Sequence, residues 1–451
     1  MDENQIKNFT ELATTPNRKM ALQIMEAGLK SINTENVVFN SVKLENNILS
    51  VAGKNFDLNN FKKIKVVGFG KSSCEAAMAL EKILGSKINE GAVIGLNKVS
   101  CDIIETFAGT HPKPSPLNIE AGKKIYDMVN QSNETDLIIV IVSGGGSALL
   151  CPTQGECNQE VKLYDSFLAS GQTIKQINTV RKHLSLLKGG GLAKIAYPAT
   201  VIGLIFSDVP GDNFKDVASG PTYKDETTVA DAEKIIAENN LGQFNLVETP
   251  KEDKYFEKVH NFVLVGNITA VEAMAKKSEE LGLEAKIVST ELYDEVDEAL
   301  KKIFSGLGEN ETQKGFSRVL GSPGPYPGQT TPKPFLGSVF LAAGEPSVVV
   351  PKNAGKGGRN LHIGLEAIKN KMINDDVVFI SFASDGMDNS DVSGAVIDKY
   401  TIEKAEKLNL NANDYADRFD SYDFFQKTGD LIFTGPTGAN VSDLMILLTK
   451  K

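Results

Sequence analysis

DLIIVIVSGGGSALL, residues Asp136–Leu150, is the stretch that determines the predicted fold. Leu137–Val142 is an unbroken apolar run of strand length, typical of a strand covered on both faces in a parallel sheet. Ser143 ends the run, and Gly144–Gly146 then leave backbone N–H groups with no Cβ in front of them, so an anion can approach closely. Ser147 is predicted to be the N-cap of a following helix, which would add positive potential. The alternative is a tight strand-to-helix turn, and the glycines alone favour neither.

The same order of apolar strand, polar loop and helix recurs along the chain. Ile64–Val67 leads into a glycine-rich loop and a helix predicted over Ser73–Leu84. Further strands are predicted at Ala92–Leu96, Ala199–Phe206, Phe262–Val265, Ala285–Val288, Ser338–Ala342, Val377–Phe382 and Leu431–Phe433. This alternation predicts α/β domains, each with a mostly parallel sheet flanked by helices. Ligands of such sheets bind outside the carboxyl ends of the strands, so the residues after each strand are the candidate site residues.

The chain has 451 residues, which predicts more than one domain. We expect an N-terminal Rossmann-like domain over residues 1–250 and a C-terminal α/β domain over 251–451, separated near the polar stretch 248–258. Residues 1–32 are predicted to be helical. Residues 321–337 contain five prolines and four glycines, which predicts an irregular surface connection.

The composition excludes several classes of protein. Lys plus Arg is 48 and Asp plus Glu is 58, and the net charge of −10 argues against binding to nucleic acid or to an anionic membrane. No apolar run approaches membrane-spanning length, and the N-terminus has no apolar signal core. The four cysteines, Cys74, Cys101, Cys151 and Cys157, form no C-x-x-C pair, so a structural zinc site is not expected. We therefore expect a reduced, cytoplasmic protein.

Two cations follow glycine-rich loops. Lys71, in GFGKSS, comes after a strand and before a helix, a position that suits phosphate binding; a solvated loop lysine is the alternative. Arg359, in GKGGRN, also precedes a helix, and its guanidinium suits bidentate capture of a carboxylate or phosphate; the alternative is a surface arginine.

Three carboxylates, Asp208, Glu345 and Asp385, each follow an apolar strand. A carboxylate there can hold Mg²⁺, accept a substrate hydroxyl or deprotonate it, although any one alone is more simply a helix cap or turn residue. Three at one sheet edge would repel each other unless a cation or ligand balanced them. Asp212 and Asp388 are weaker candidates and are more easily explained as turn residues.

Two further segments leave their roles open. Asn440, at the end of GPTGAN, either orients a ligand hydroxyl or supports the turn. Asn178, Arg181 and His183 share one segment, and His183 is equally well explained as a packed, hydrogen-bonded residue.

Known nucleotide motifs are not matched in full. GFGKSS partly fits the dinucleotide pattern G-x-G-x-x-G, but Ser73 replaces the third glycine and the next strand leads to Asn97 rather than an acid. NAD binding is therefore only weakly supported. The sequence contains neither a P-loop nor the HRD and DFG motifs of protein kinases.

Ten strings, in order over nearly the whole chain, resemble a known family, the glycerate 2-kinases with a MOFRL C-terminal domain. The strings are GFGKSS (68–73), GTHPKPSP (109–116), SGGGSALL (143–150), NTVRKHLSLLKGGGLA (178–193), SDVPGD (207–212), ASGPT (218–222), VGN (265–267), GKGGRN (355–360), SDGMD (384–388) and GPTGANVSDL (435–444).

The resemblance implies ATP- and Mg²⁺-dependent phosphorylation of the 2-hydroxyl of D-glycerate, in an active site in an interdomain cleft, with a MOFRL-like region over 337–448. It aligns Lys71 and Arg359 with the family's catalytic cations. The residues aligned with polar groups of its cleft are Asp208, Glu345, Asp385 and Asn440. We expect Asp208 to be catalytic as well, Asp208 or Asp385 to hold the metal, and the backbone from Ser143 to Ser147 to bind substrate or nucleotide oxygens.

Two departures from the family pattern concern one loop. Where the family usually has Gly-Gly-Glu-Thr-Thr, this chain has Ala343-Gly344-Glu345-Pro346-Ser347, and the proline-rich stretch before it is longer than usual. The alternatives to a kinase are a nicotinamide-dependent hydroxypyruvate reductase, a label that family members sometimes carry, and a non-catalytic sugar-acid-binding module. As a partner we expect only the small-molecule substrate, with the chain a monomer or a homodimer.

Overall fold

The computed structural model of the chain describes residues 4–170, 174–209, 214–307 and 336–450. It forms two compact units: Thr34–Gly266, which we call the middle unit, and Met1–Asn33 together with Asn267–Lys451, which we call the terminal unit. Asp212 and residues 321–335 of the predicted proline-rich connection lie outside the described residues.

The strands are β1 Val42–Glu45, β2 Ile48–Val51, β3 Lys54–Asp57, β4 Lys63–Phe69, β5 Glu90–Gly95, β6 Ile104–Ala108, β7 Asp136–Ser143, β8 Thr200–Phe206, β9 Val259–Val265, β10 Glu284–Leu292, β11 Gly337–Gly344, β12 Val377–Ala383, β13 Gly394–Asp398, β14 Leu431–Ile432 and β15 Asp443–Lys450. The helices are α1 Phe9–Leu12, α2 Pro16–Ser31, α3 Thr34–Ser41, α4 Ser73–Leu84, α5 Pro116–Asn130, α6 Gly146–Leu149, α7 Gln154–Ser170, α8 Ile174–Lys182, α9 Gly191–Ala196, α10 Val229–Glu238, α11 Asn267–Glu280, α12 Val296–Ser305, α13 Arg359–Lys369, α14 Lys399–Lys407, α15 Ala412–Asp417 and α16 Ser421–Thr428.

The middle unit is built on a parallel sheet with the strand order β6-β5-β4-β7-β8-β9. This is the doubly wound order of Rossmann-type sheets, in which the chain reverses its direction across the sheet between the first and fourth strands. Here the reversal lies between β4 and β7, and β7 is buried along its whole length. The carboxyl ends of these two strands, near Gly70 and Ser143, therefore mark the place where ligands of this fold bind. The predicted helix Ser73–Leu84 is confirmed by α4.

The terminal unit has a mixed sheet with the order β10-β11-β15-β12-β13-β14. Among the strand pairs of this sheet in the described residues, only the pair of β10 and β11 is parallel. The prediction of a mostly parallel sheet is therefore confirmed for the middle unit and wrong for the terminal unit. One reason is that the connection from β12 to β13, residues 384–393, is shorter than the dozen or so residues that a parallel crossover needs. The other is β15, a central strand that the sequence analysis missed and that runs antiparallel between β11 and β12.

The units also differ from the predicted domains 1–250 and 251–451. Strand β9 pairs with β8, which extends the middle unit to Gly266. Helix α2, placed by prediction in the first domain, packs in the terminal unit: a Cβ at Gly28 would lie 2.8 Å from Met274 Cγ in α11. In the same helix the buried guanidinium of Arg18 donates to Asp398, at 2.7 and 2.6 Å, and to Asp430 at 2.8 Å. Long-range packing of this kind leaves no local signal in the sequence.

The structure joins Cys151 and Cys157 in a disulfide, with Cα atoms 5.7 Å apart across the turn that begins α7, whereas reduced cysteines were predicted. Cys74 and Cys101 are free. Within the described ranges, no helix is both long and apolar enough to cross a membrane.

Candidate functional site

The loops that follow β4 and β7 are held together by hydrogen bonds. Gly70 has φ +128°, and a Cβ there would lie 2.2 Å from Ser143 Oγ, so the loops can approach this closely only because residue 70 is glycine. The backbone N–H of Lys71 donates to the Gly144 carbonyl at 2.8 Å, and that of Ser72 donates to Ser143 Oγ at 3.1 Å. These contacts fix Lys71 beside the triple glycine and directly before α4.

The triple glycine also contacts Asp208, which follows β8. A Cβ at Gly144 would lie 1.9 Å from Asp208 Oδ2. A Cβ at Gly145, which has φ +75°, would lie 3.1 Å from both Lys71 Cγ and His111 Cδ2. The structure thus brings Lys71, Asp208 and the glycines together at the carboxyl edge of the middle unit's sheet.

Ser147 is not the N-cap that the sequence predicted. The N-cap of α6 is Gly145, in the left-handed region, and Ser147 lies inside the helix. Its Oγ lies 2.8 Å from Ser219 Oγ instead. The prediction failed because residue 145 adopts a conformation that favours glycine, so the helix starts before the serine. With only four residues, α6 adds little positive potential.

Other polar residues surround this glycine loop. Asn178 and Arg181, noted in the sequence without a role, are linked to it: Asn178 Oδ1 accepts hydrogen bonds from Ser219 Oγ and from Arg181 Nη1, both at 3.3 Å. Burial and the positive charges of Lys71 and Arg181 lower the pKa of His111 to about 4, so its ring is neutral at pH 7. His111 and Ser219 were missed, although both lie in strings that the resemblance rests on.

His183 has a structural role. Its ring is fully buried, with Nδ1 3.0 Å from the Val247 carbonyl and Nε2 3.3 Å from Thr227 Oγ1. Of the two explanations that the sequence left open, the packed, hydrogen-bonded one is confirmed.

In the terminal unit, β15 brings a carboxylate to the ends of two other strands. Asp443, its first residue, pairs with Gly344, the last residue of β11, and with Ala383, the last residue of β12. Glu345 and Asp385 follow those strands, so they lie at the same sheet edge as Asp443. The expectation that Asp208 shares this edge is wrong, because Asp208 follows β8 in the sheet of the middle unit.

Arg359, the first residue of α13, is oriented by these carboxylates. Its Nε donates to Asp443 Oδ2 at 2.5 Å, and its Nη2 lies 3.6 Å from Glu345 Oε2. Burial disfavours the charge of the guanidinium, but Asp443 and Glu345 outweigh this effect and raise the pKa of Arg359. With 29% of its side chain exposed, the group is held in place and still accessible to a ligand.

A second buried carboxylate, Asp388, caps α13. It accepts from the backbone N–H of Asn360 at 2.9 Å and of Leu361 at 2.8 Å. The Asn360 side-chain amide bridges Asp388, at 3.1 Å, and Asp443, at 2.8 Å. Burial raises the pKa of both carboxyls to about 6; for Asp443 this occurs despite the opposing charge of Arg359. Asp388 is therefore a helix cap, and Asp443 is a buried carboxylate of this sheet edge that the sequence did not single out.

Asp385 and Asn440, the other predicted residues at this sheet edge, lie in two loops that are joined by hydrogen bonds. Asp385 Oδ1 accepts from the Met387 N–H at 3.0 Å, and the Asp385 carbonyl accepts from the Thr437 N–H at 3.1 Å. The N–H of Val441 donates to Ser384 Oγ at 2.9 Å, which holds the half-buried Asn440 next to the loop after β12.

In the described part of the chain, no group of three or more His, Cys, Asp and Glu residues is arranged to hold a metal. Mg²⁺ in nucleotide enzymes normally takes one or two protein carboxylates and completes its shell with phosphate oxygens and water. The half-buried carboxylates of Asp208 and Asp385, which lie in different units, have the donor chemistry for that mode.

Comparison with known proteins gives matches over most of the chain. The family model "Domain of unknown function (DUF4147)" matches residues 20–248, and the model "MOFRL family" matches residues 338–443. Glycerate 2-kinase of Pyrococcus horikoshii is 32% identical over 96% of this chain and 97% of that protein. A putative hydroxypyruvate reductase of Agrobacterium vitis is 33% identical over 85% of this chain and 86% of its own length. The crystal structure of glycerate kinase from Thermotoga maritima has a TM-score of 0.78 and 30% identity, covering 96% of this chain and 99% of that one.

Proposed function

We propose that this chain, which belongs to the family of DUF4147 and MOFRL proteins that includes these glycerate kinases, phosphorylates the 2-hydroxyl of D-glycerate with ATP, giving 2-phosphoglycerate and ADP. The observation that carries the proposal is the placement of Lys71 and Asp208 against one glycine loop at the switch point of a doubly wound sheet. A lysine beside the backbone of a glycine loop suits an anion, and a carboxylate beside the same loop suits a hydroxyl donor.

Phosphoryl transfer depends on positioning and charge neutralisation more than on covalent help from the protein. Lys71 neutralises charge that develops on the transferring phosphoryl group. Asp208 accepts the hydrogen bond of the attacking 2-hydroxyl and takes its proton as the phosphorus–oxygen bond forms. The bond to the leaving ADP oxygen breaks in the same transfer. The N–H groups of Gly144–Gly146 bind the oxygens of the ligand.

In the terminal unit, Arg359 is the cation that contacts nucleotide phosphates. Its ion pair with Asp443 fixes the plane of the guanidinium, which favours bidentate contact with phosphate. Asn440 and Glu345 orient the ligand around it. Asp385 or Asp208 would hold Mg²⁺, which would supply further charge neutralisation.

The proposal assigns roles to residues of both units, Lys71 in the middle unit and Arg359 in the terminal unit. If Lys71 and Arg359 act together, the combined loss from removing both is smaller than the product of the single losses, because groups that act as a unit are non-additive. A cycle of Lys71→Ala, Arg359→Ala and the double variant, measured as kcat, tests this. Strict multiplication of the two effects would show that the residues act separately.

Hydroxypyruvate reduction is the second candidate, favoured by the dinucleotide-type strand order and by the name of the Agrobacterium vitis relative. It is less well supported because Ser73 takes the place of the third glycine of the dinucleotide pattern, with its Oγ 3.1 Å from Ser143 Oγ. Two assays separate the candidates and a binding module. ADP release that requires D-glycerate indicates the kinase, and NADH oxidation with hydroxypyruvate in the absence of ATP indicates the reductase. Ligand binding without either turnover indicates a binding module.

A further inference from the structure

A chain of hydrogen bonds connects the glycine loop to helix α8. Ser147 Oγ lies 2.8 Å from Ser219 Oγ, which lies 3.3 Å from Asn178 Oδ1. Arg181 Nη1 donates to the same amide oxygen at 3.3 Å. The chain thus reaches from the loop that contacts Lys71 and Asp208 to a second cation.

The direction of each bond in this chain follows from chemistry. Arginine N–H groups only donate, so the atom of Asn178 that faces Arg181 must be the oxygen. Ser219 must then give its single proton to that oxygen. Ser147 in turn donates its proton to Ser219, which leaves the oxygen of Ser147 to act as an acceptor.

Arg181 is fixed in place by a buried partner. Its Nε donates to Glu160 Oε1 at 2.5 Å, and Glu160 is 2% exposed. An arginine has five N–H donors, so the bonds to Glu160 and Asn178 orient the guanidinium without engaging all of its donors. Arg181 also acts electrostatically on His111, the ring that packs against Gly145 beside Lys71. The positive charge of Arg181 therefore contributes to the electrostatic potential at the glycine loop.

The loop is bordered by acceptors as well as by cations. Ser147 offers an acceptor oxygen, and the Asp208 carboxylate lies against Gly144. A nucleotide phosphate presents only acceptor oxygens, which both groups would repel. A hydroxy acid presents a carboxylate for the cation and hydroxyl protons for the acceptors, and it therefore matches this part of the site better than phosphate does.

We propose that Arg181 binds the carboxylate of a short 2,3-dihydroxy acid and that Ser147 accepts a hydrogen bond from its 3-hydroxyl, while the 2-hydroxyl faces Asp208. This inference rests on the proposed function and identifies the residues that select its acceptor substrate. On this proposal, the hydrogen-bonded residues bind the hydroxy acid and not ATP. These residues are Ser147, Ser219, Asn178 and Arg181.

The test measures binding without turnover. Calorimetric titrations of the full chain with D-glycerate, D-lactate and ATP, each added alone, compare the wild type with Arg181→Lys and Ser147→Ala. D-lactate has the carboxylate and the 2-hydroxyl but lacks the 3-hydroxyl. Lys175→Ala is the matched control, because Lys175 is an exposed cation on the same helix as Arg181. Arg181→Lys keeps a positive charge beside the buried Glu160, and unfolding midpoints confirm that each variant is folded.

We expect Arg181→Lys to weaken D-glycerate and D-lactate by about tenfold or more and to leave ATP within about twofold. Ser147→Ala should weaken D-glycerate by about tenfold and D-lactate hardly at all, because only the first has the 3-hydroxyl. Lys175→Ala should change none of the three.

Three results overturn the inference. If Arg181→Lys weakens ATP and spares D-glycerate, the arginine serves the nucleotide. If both variants bind D-glycerate like the wild type, the hydrogen-bond chain is only structural, and the proposed kinase activity stands. If wild-type protein binds no D-glycerate and makes no ADP in its presence, the proposed function fails together with the inference.

Discussion

Lys71 is the residue on which the proposed chemistry depends most directly. Its backbone is tied to Gly144, and its side chain packs against Gly145. We predict that Lys71→Ala lowers kcat by about 10²–10⁴-fold, because the ammonium meets charge that is larger in the transition state than in bound ATP. Lys87→Ala, which removes an exposed lysine from the short turn after α4, is the control. Unchanged turnover with only a higher KM would refute the role.

Asp443 is the residue whose role the structure reveals most clearly. As an ion it orients Arg359, and its pKa is raised to about 6 by burial, against the opposing effect of Arg359. Protonation removes the charge that holds the guanidinium, so kcat should fall as the pH drops through about 6. We predict that Asp443→Asn lowers kcat by roughly 10–100-fold at pH 7.5 and removes this acidic limb.

The control for that profile is Asp375→Asn, which removes an exposed carboxylate from the same unit. It should keep the activity and the acidic limb of the wild type. An Asp443→Asn enzyme with the full wild-type limb would assign the titration to another group.

At the scale of elements, a substitution in the loop after β7 tests whether the close approach of Gly144 to Asp208 is needed for activity. A Cβ at Gly144 would overlap the carboxylate of Asp208, so Gly144→Ala must displace Asp208 or the loop. We predict a loss of kcat/KM of about 100-fold or more with the sheet still folded. Gly155→Ala is the matched control: Gly155 lies in α7, and nothing in the described structure is within 4 Å of a Cβ there. That variant should be fully active and as stable as the wild type or slightly more so. Full activity of Gly144→Ala would show that the loop adapts and that its geometry is not needed.

Elements differ in how well the sequence predicted them. The strands and loops around Lys71 and Gly144 were predictable because an apolar run followed by glycines is a local signal. Strand β15 was missed because DLMILLTK follows an irregular loop at the end of the chain, and its partners β11 and β12 are far away in sequence. Asp208 was grouped with Glu345 and Asp385 because each follows an apolar strand, although the predicted domain boundary near residue 250 separated Asp208 from the other two. The roles of Asp443 and Asp388 depend on the pairing of β15 with its neighbours and on burial, and no local pattern encodes either.

At the scale of the whole molecule, helix α2 folds with elements that lie some 380 residues or more away in the sequence. Arg18 in α2 is 1% exposed and pairs with Asp398 and Asp430. Removing one partner of a buried ion network leaves charges without compensation, so Arg18→Ala should lower the free energy of unfolding by about 3–5 kcal/mol. Lys19→Ala, an exposed neighbour, should change it by less than about 0.5 kcal/mol. Urea unfolding measures both. Equal stability of the two variants would show that α2 is not integral to the terminal unit.

The proposed function is that of a kinase acting on one hydroxyl of a small acid. The position of the phosphate on the product is the most direct test of that claim. Wild-type protein is incubated with D-glycerate, ATP and Mg²⁺, and the product is identified from the coupling between phosphorus and carbon-bound protons in NMR spectra. The account predicts 2-phosphoglycerate, in which the phosphorus couples to the single proton at carbon 2. A product with the phosphate on carbon 3, or no phosphorylated glycerate at all, would contradict it.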